Sequence, residues 1–251
     1  MKLIFFLFIL YPMLLFSQNL EADSIVHKKT TNTAYKFSAK KLIIPAVMMS
    51  YGALSLTSDA FKNINTHTRH ETREHFIAGA TIDNYMQYAP AVAVYGLNIG
   101  GIKGEHNFKD RTIIYVTSQL ITSAIVLPTK RMIGEERPDG SNNLSFPSGH
   151  TATAFSSAHF MFMEYKDTNF WLSISGYPIA AATGIYRVLN DKHWVGDVVA
   201  GAGVGILSTE IAYWLFPTMS KWFSHNTNKS SIVLMPFYQS KRAGLTILKI
   251  F

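Results

Sequence analysis

Apolar residues in this chain form long segments rich in small side chains, and short polar stretches separate them. None of these segments shows the alternation of apolar and polar positions that is typical of half-buried strands. The pattern therefore predicts an all-α fold, a helical bundle with about six core helices. The predicted core helices lie at Leu42–Leu56, Tyr85–Leu97, Thr112–Leu127, Thr151–Tyr165, Phe170–Val188 and Val195–Phe216, and the polar segment Asp59–Glu74 is also predicted to be helical.

Polar side chains interrupt every apolar segment, so hydropathy alone fits both short membrane spans and buried helices of a soluble bundle. Gly201 and Gly205 lie four residues apart and predict close approach of another helix in either setting. The end of the chain differs, because Ile232–Pro236 and Leu245–Phe251 flank a polar stretch. This arrangement predicts a small C-terminal β-hairpin.

The first residues have the pattern of an export signal. Lys2 precedes the apolar run Leu3–Phe16, and Ser17 follows it. We predict a secretory signal peptide at residues 1–18. An uncleaved anchor is the alternative, although 14 residues fall short of the roughly 20 that span a bilayer. Either reading predicts export, followed by a polar segment at 19–41, a helical domain at 42–216 and a tail at 217–251.

Composition narrows the class of protein. Only 16% of the residues are charged and 48% are hydrophobic, which excludes a disordered chain. The absence of cysteine excludes disulfides, thiolate metal sites and a cysteine nucleophile. The net charge is +7, but the basic residues do not form a stripe with interleaved aromatic residues, so we expect no nucleic-acid partner. The positive charge suits anionic substrates and anionic lipid surfaces instead.

Candidate chemistry is concentrated in three short clusters. They are Lys130 with Arg137-Pro138, then Pro147-Ser148-Gly149-His150, then Arg187 with His193 and Asp197. The three cations, Lys130, Arg137 and Arg187, suit an oxyanion, because the arginine fork matches phosphate and lysine adds a compact charge. Ser148 and Gly149 stand where a helix would begin, and its free N–H groups favour an anion.

The histidines complete a set for phosphoryl transfer. His193 and Asp197 are four residues apart, so they share one face of a helix. A carboxylate behind an imidazole fixes its tautomer and stabilises the imidazolium, which leaves the other nitrogen to attack. His150, at the mouth of the anion cradle, is the candidate general acid. This set needs no metal ion and no cofactor.

The three clusters together resemble the type 2 phosphatidic acid phosphatase superfamily, which includes membrane lipid phosphatases, bacterial acid phosphatases and vanadium haloperoxidases. Lys130-x6-Arg137-Pro138, Pro147–His150 and Arg187-x5-His193-x3-Asp197 match its signature. Tyr186 departs from it, because the family has serine there. The resemblance implies an all-α core over about Leu42–Phe216. It also implies a phosphohistidine on His193, leaving-group protonation by His150, and phosphate binding by Lys130, Arg137, Ser148, Gly149 and Arg187.

The expected function is therefore that of a membrane phosphatase acting on a lipid-linked phosphate or pyrophosphate, of the undecaprenyl pyrophosphate, phosphatidylglycerophosphate or lipid A type. We expect its site to face the periplasm from a bacterial inner membrane. A soluble periplasmic acid phosphatase is the alternative. A vanadium haloperoxidase and a non-catalytic binding protein are weaker ones, and Tyr186 is the feature that favours the last.

Other polar groups are expected to be structural. His67, His70, Glu71, Glu74 and His75 lack the spacing of a zinc protease, so a solvated helix is predicted there. His159 lies on an apolar helix and is expected to be an interior histidine with hydrogen-bond partners.

Overall fold

The computed structural model describes residue 35, residues 38–72 and 81–223, and the backbone of residues 231–239 and 242–250. The predicted signal peptide at residues 1–18 and most of the polar segment at 19–41 lie outside the described residues. So do Glu74 and His75 of the predicted solvated helix.

The prediction of an all-α bundle is confirmed. After a short 3₁₀ turn, Ala39–Leu42, the helices follow one another with few residues between them. They are α1 Ile43–Thr57, α2 Asp59–Thr72, α3 Asp83–Met86, α4 Ala89–Ile99, α5 Phe108–Ile133, α6 Gly149–Tyr165, α7 Phe170–Ile174, α8 Gly176–Leu189 and α9 Val195–Phe223.

Two predicted helices are each divided in the structure. The segment Tyr85–Leu97 contains the end of α3 and most of α4, and Pro90 lies in the first turn of α4, where its missing N–H costs no hydrogen bond. The segment Phe170–Val188 divides at Ser175. Gly176 follows, and a Cβ there would lie 3.2 Å from Ala158 Cα, so the close contact with α6 leaves little room for a side chain.

Helix α5 is longer than predicted because capping groups lie beyond its apolar segment. The Asn107 side chain accepts a hydrogen bond from Asp110 N at 2.9 Å, which caps the first turn. At the other end Gly134 adopts the left-handed conformation with φ 65°, which ends the helix.

Helix α9 packs against α1, α5 and α6, and its glycines allow close approach. A Cβ at Gly201 would lie 2.5 Å from Ser148 O, and one at Gly205 would lie 2.2 Å from Ala152 O. Both glycines thus bring the α9 backbone against α6, as the sequence predicted.

Polar side chains inside the bundle bond to one another. Ser118 Oγ lies 2.6 Å from Ser156 Oγ and 2.8 Å from Thr209 Oγ1, which joins α5, α6 and α9. His159 has a partner on each ring nitrogen, Tyr177 Oη at 2.7 Å and Glu210 Oε1 at 2.9 Å. The prediction of an interior histidine with hydrogen-bond partners is confirmed.

Two helices, Phe108–Ile133 and Val195–Trp222, are long and apolar enough to cross a membrane, with mean hydropathy 1.4 and 1.5. Ala39–Thr57 and Asp59–Thr72 pass the same test as a pair bent by 89°. Helix α5 also presents Val116, Leu120 and Leu127 as exposed apolar side chains. The length and surface of these helices fit a membrane-embedded bundle.

The predicted C-terminal hairpin is present as two antiparallel strands, β1 Ser231–Gln239 and β2 Arg242–Ile250. Its register pairs Ser231 with Ile250 and Gln239 with Arg242. The hairpin is longer than the predicted apolar segments by several residues.

Candidate active site

One end of the bundle gathers all three sequence clusters. The last turns of α5 and α8 and the first turns of α6 and α9 meet there. Ser148 N donates to Asp197 O at 3.0 Å, which joins the starts of α6 and α9. Lys130 Nζ, at the end of α5, donates to Leu144 O at 2.7 Å and to Ser145 O at 2.9 Å. The candidate span Phe108–Ile133 ends and the candidate span Val195–Trp222 begins at this end of the bundle.

The two arginines present unused donors to this site. Arg187 is buried and its Nη1 donates to Asp83 Oδ2 at 2.7 Å. Among the described residues, neither Arg187 Nε nor Arg137 Nε has a hydrogen-bond partner, although both atoms are buried. A buried donor without a partner costs free energy, so each of these N–H groups can take an acceptor that the described residues do not supply. An oxyanion supplies such acceptors.

The start of α6 lies at the same end of the bundle as these arginines, and Ser148 is the N-cap residue of that helix. Its Oγ lies 2.9 Å from Thr151 Oγ1 and caps the helix, and its N–H is already bonded to Asp197 O. The N–H groups of Gly149 and His150 follow in the first turn, ahead of the intrahelical hydrogen bonds. Phosphate binding by the Ser148 hydroxyl stays a prediction.

His193 and Asp197 lie together in the buried floor of the site. His193 Nδ1 is 3.4 Å from Asp197 Oδ2, which is a long hydrogen bond. Asp197 Oδ2 also accepts from Ser145 Oγ at 2.5 Å and from Trp194 N at 2.9 Å. Burial lowers the pKa of His193 to about 4, although Asp197 opposes this shift. His193 is therefore neutral at pH 7, with Nε2 left for a substrate.

His150 lies at the edge of the cradle, the site formed by Lys130, Arg137, Arg187 and the first turn of α6. Its Nε2 is 2.7 Å from Asn84 Oδ1, which as a carbonyl oxygen accepts the ring N–H. Burial lowers the pKa of His150 to about 4, and the charges of Arg187, Arg137 and Lys130 act in the same direction while Asp83 opposes them. An anion bound between those cations would cancel their effect and raise this pKa toward the range of a general acid.

Three of the residues that hold this arrangement were missed by sequence reasoning. Asp83 pairs with Arg187, Asn84 bonds His150, and Ser145 donates to Asp197. Asp83 and Asn84 lie 104 and 66 residues from their partners and belong to the four-residue helix α3, so no local pattern marks them. Ser145 stands two residues before Pro147, and this nearness to the second motif is the sequence feature that could have identified it.

The departure at Tyr186 leaves the neighbouring arginine in place. Tyr186 is half-buried on α8, and Arg187 beside it reaches the site through its ion pair with Asp83. Among the described residues, no group of three His, Asp or Glu side chains is arranged to hold a metal ion.

The resemblance suggested by the motifs is confirmed by comparison with known proteins. Residues 111–221 match the model of the PAP2 superfamily. The matched range contains Lys130, His150, His193 and the other motif residues of the candidate site.

Two curated relatives are similar to parts of the chain. It is 38% identical over 135 residues to the lipid A 1-phosphatase of Porphyromonas gingivalis. It is 40% identical over 76 residues to the bacitracin transport permease protein BcrC of Bacillus licheniformis. These matches cover 53% and 30% of this chain but only 30% and 36% of the relatives, so the chain spans about a third of the length of each.

Among solved structures, the transmembrane PAP2-type phosphatidylglycerolphosphate phosphatase from Bacillus subtilis shares the fold. It superimposes with a TM-score of 0.50 at 19% identity, covering 75% of this chain and all of the other.

Proposed function

We propose that this chain is a lipid phosphatase that removes a phosphate group from a lipid-linked phosphate through a phosphohistidine on His193. The observation that carries the proposal is the pair of buried guanidinium donors, Arg137 Nε and Arg187 Nε, that lack a partner among the described residues. They converge with Lys130 beside the start of α6, where a phosphate would supply the missing acceptors.

The reaction proceeds in two steps. Nε2 of neutral His193 attacks phosphorus, the bond from phosphorus to the lipid oxygen breaks, and that oxygen takes a proton from His150. Asp197 holds Nδ1–H and stabilises the positive charge on the imidazole ring. Water, deprotonated by His150, then attacks the phosphohistidine, which releases phosphate and restores His193. The cations of the cradle balance the charge on phosphate, so the proposed cycle requires no metal ion.

A lipid substrate is supported by an apolar groove near the site. The groove has a volume of about 360 Å³ and lies between α8, α9, α1 and α2, where Ile185, Val188 and Val198 line it. In this proposal the headgroup binds at the end of the two candidate spans, and the groove offers apolar surface to an acyl chain.

Lipid A 1-phosphate is the first substrate to test, because the chain is 38% identical over 135 residues to a lipid A 1-phosphatase. The predicted export signal supports a site on the periplasmic side. Phosphatidylglycerophosphate and undecaprenyl pyrophosphate are the other candidates of the same chemical class.

The test measures phosphate release by the full chain purified in detergent, from lipid A, from the two other lipids and from p-nitrophenyl phosphate, with a chelator present. We expect hydrolysis of a lipid phosphate that is inhibited by vanadate and abolished in His193→Ala. Preference for the soluble ester would move the protein to the acid-phosphatase class. Loss of activity with chelator alone, or full activity of His193→Ala, would overturn the proposed mechanism.

A further inference from the structure

A second carboxyl group lies beside the proposed catalytic pair. Glu135 follows Gly134 at the end of α5, inside the Lys130–Arg137 motif, and its side chain is half-buried. Its carboxyl group interacts with the Asp197 carboxyl group. Its backbone is tied to the same place, because Glu135 O accepts from Ser145 N at 2.9 Å and Ser145 Oγ donates to Asp197.

The oxygens of this carboxyl pair require a shared proton. Glu135 Oε2 and Asp197 Oδ1 are both buried, and neither receives a donor from the described residues if both groups are ionised. Two ionised carboxylates have only acceptor atoms, so they cannot bond each other and their charges repel. One proton between them satisfies both oxygens at once.

The neighbouring groups decide which carboxyl group carries that proton. Asp197 Oδ2 is within reach of three donors, Ser145 Oγ, Trp194 N and His193 Nδ1, which favour its ionised form. The charged groups facing Glu135 are Asp197 and Lys130. Burial raises the pKa of Glu135 to about 9, and the hydrogen bond to Asp197 acts in the same direction. Glu135 is thus the protonated partner at pH 7.

We propose that Glu135 is a positioning residue for the reaction: its protonated carboxyl group donates to Asp197 and holds that carboxylate in place behind His193. The proposal rests on the proposed function of His193 and Asp197. It adds a carboxylic acid that touches neither substrate nor the reacting atoms. Its action is to satisfy Asp197 Oδ1 and to reduce the effective negative charge that His193 faces.

Two substitutions of Glu135 separate the effect of its hydrogen-bond donor from the effect of its ionised form. Glu135→Gln keeps a donor in the amide N–H₂ group and cannot ionise. Glu135→Met keeps the length of the side chain and removes the donor. Glu136→Met is the matched control, because Glu136 is the next residue and its side chain is exposed.

We expect Glu135→Met to lower kcat for lipid A about 10- to 100-fold with little change in KM, a loss typical of removing a supporting hydrogen bond. We expect Glu135→Gln to stay within about threefold of the wild type and Glu136→Met to match it. The thermal melting midpoint of each variant in detergent shows whether it is folded.

The pH profile of kcat/KM distinguishes the two roles of Glu135. If Glu135 were only structural, its substitution would leave the shape of this profile unchanged. Besides Asp197, Lys130 and Arg187 face His193 and are unchanged in these variants. In Glu135→Met the full charge of Asp197 raises the pKa of His193, so the acid limb moves to higher pH. In the wild type, Glu135 ionises as pH passes about 9, so activity falls there, and Glu135→Gln lacks that loss.

The outcomes distinguish this inference from the proposed function. Phosphate release that does not depend on His193 would remove the proposed function itself. His193-dependent release with identical pH profiles in wild type, Glu135→Gln and Glu135→Met would overturn only the role of Glu135. Equal loss of activity in folded Glu135→Gln and Glu135→Met would also overturn the role of Glu135 as a donor. Gln keeps a donor that Met lacks, so an equal loss would mean that activity requires the ionised Glu135 carboxylate.

Discussion

The pairing of His193 with Asp197 is the central contact at the scale of single residues. The carboxylate is fully buried and receives donors from Ser145, Trp194 and His193 on one oxygen. Its orientation is therefore set by the protein before any substrate arrives. A preorganised charge of this kind stabilises an imidazolium without the cost of reorganising water.

Replacing the Asp197 carboxylate by an amide of the same shape tests the role of its charge. We expect Asp197→Asn to lower kcat for lipid phosphate hydrolysis about 10²- to 10⁴-fold, because the amide no longer stabilises the imidazolium or fixes the tautomer. The melting midpoint should change little. Asp167→Asn is the control, since Asp167 is an exposed carboxylate at the opposite end of α6. Wild-type turnover in Asp197→Asn would contradict the assignment.

Burial of neutral His193 also predicts how stability depends on pH. Its pKa is lowered to about 4 in the folded protein and would be about 6.5 in the unfolded chain. Between these values the unfolded chain binds more protons, so the contribution of His193 to stability is lost as pH falls from about 6.5 to 4. Its size is about 3 kcal/mol.

The measurement compares melting midpoints of the wild type and His193→Gln in detergent at pH 7, 5.5 and 4.5. We expect the wild-type midpoint to fall faster than that of the variant. Parallel decreases would mean that His193 is not held neutral by burial.

At the scale of elements, the approach of α9 to α6 sets the position of the cradle. A Cβ at Gly205 would lie 2.2 Å from Ala152 O and 2.7 Å from Ser156 N, both of them backbone atoms of α6. We expect Gly205→Ala to reduce stability by about 1–3 kcal/mol, because the helices must move apart. Activity should fall as well, since α6 carries Gly149 and His150.

Gly96→Ala is the matched control for this substitution. Gly96 lies inside α4, and nothing comes within 4 Å of a Cβ built there. It should raise stability by up to about 1 kcal/mol, as alanine does at an open helical position. Equal melting midpoints for wild type and Gly205→Ala would show that the contact can relax without cost.

At the scale of the whole molecule, the groove and the cradle are expected to act on different parts of one substrate. Ile185 lines the groove and its side chain is exposed, so Ile185→Trp adds volume there without straining the core. We expect KM for a long-chain lipid phosphate to rise about tenfold while hydrolysis of p-nitrophenyl phosphate stays unchanged. A similar loss on both substrates would mean that the groove does not bind the acyl chain.

Val116→Trp is the control for general effects of an added tryptophan. Val116 is exposed on α5 and does not line the groove. It should leave both activities unchanged.

Much of the fold followed from local patterns. Apolar segments without alternation identified the helices, and the hairpin followed from its two apolar runs and polar turn. The divisions at Gln87–Tyr88 and at Ser175 were not predicted, because Gly176 is required only by the distance of α6 from α8. The ends of α5 were also not predicted, because they lie outside the apolar segment and are set by the capping residues Asn107 and Gly134.

The sequence by itself determined which side chains form the candidate site, because Lys130, Arg137, His150, Arg187, His193 and Asp197 stand in three ordered motifs. The tertiary structure decided which residues support them. Asp83, Asn84 and Glu135 contact these groups only because helix ends distant in the chain meet at one end of the bundle. Burial there also shifts protonation: it lowers the pKa of His193 and raises that of Glu135, since a low-dielectric interior does not hold unpaired charges at low cost.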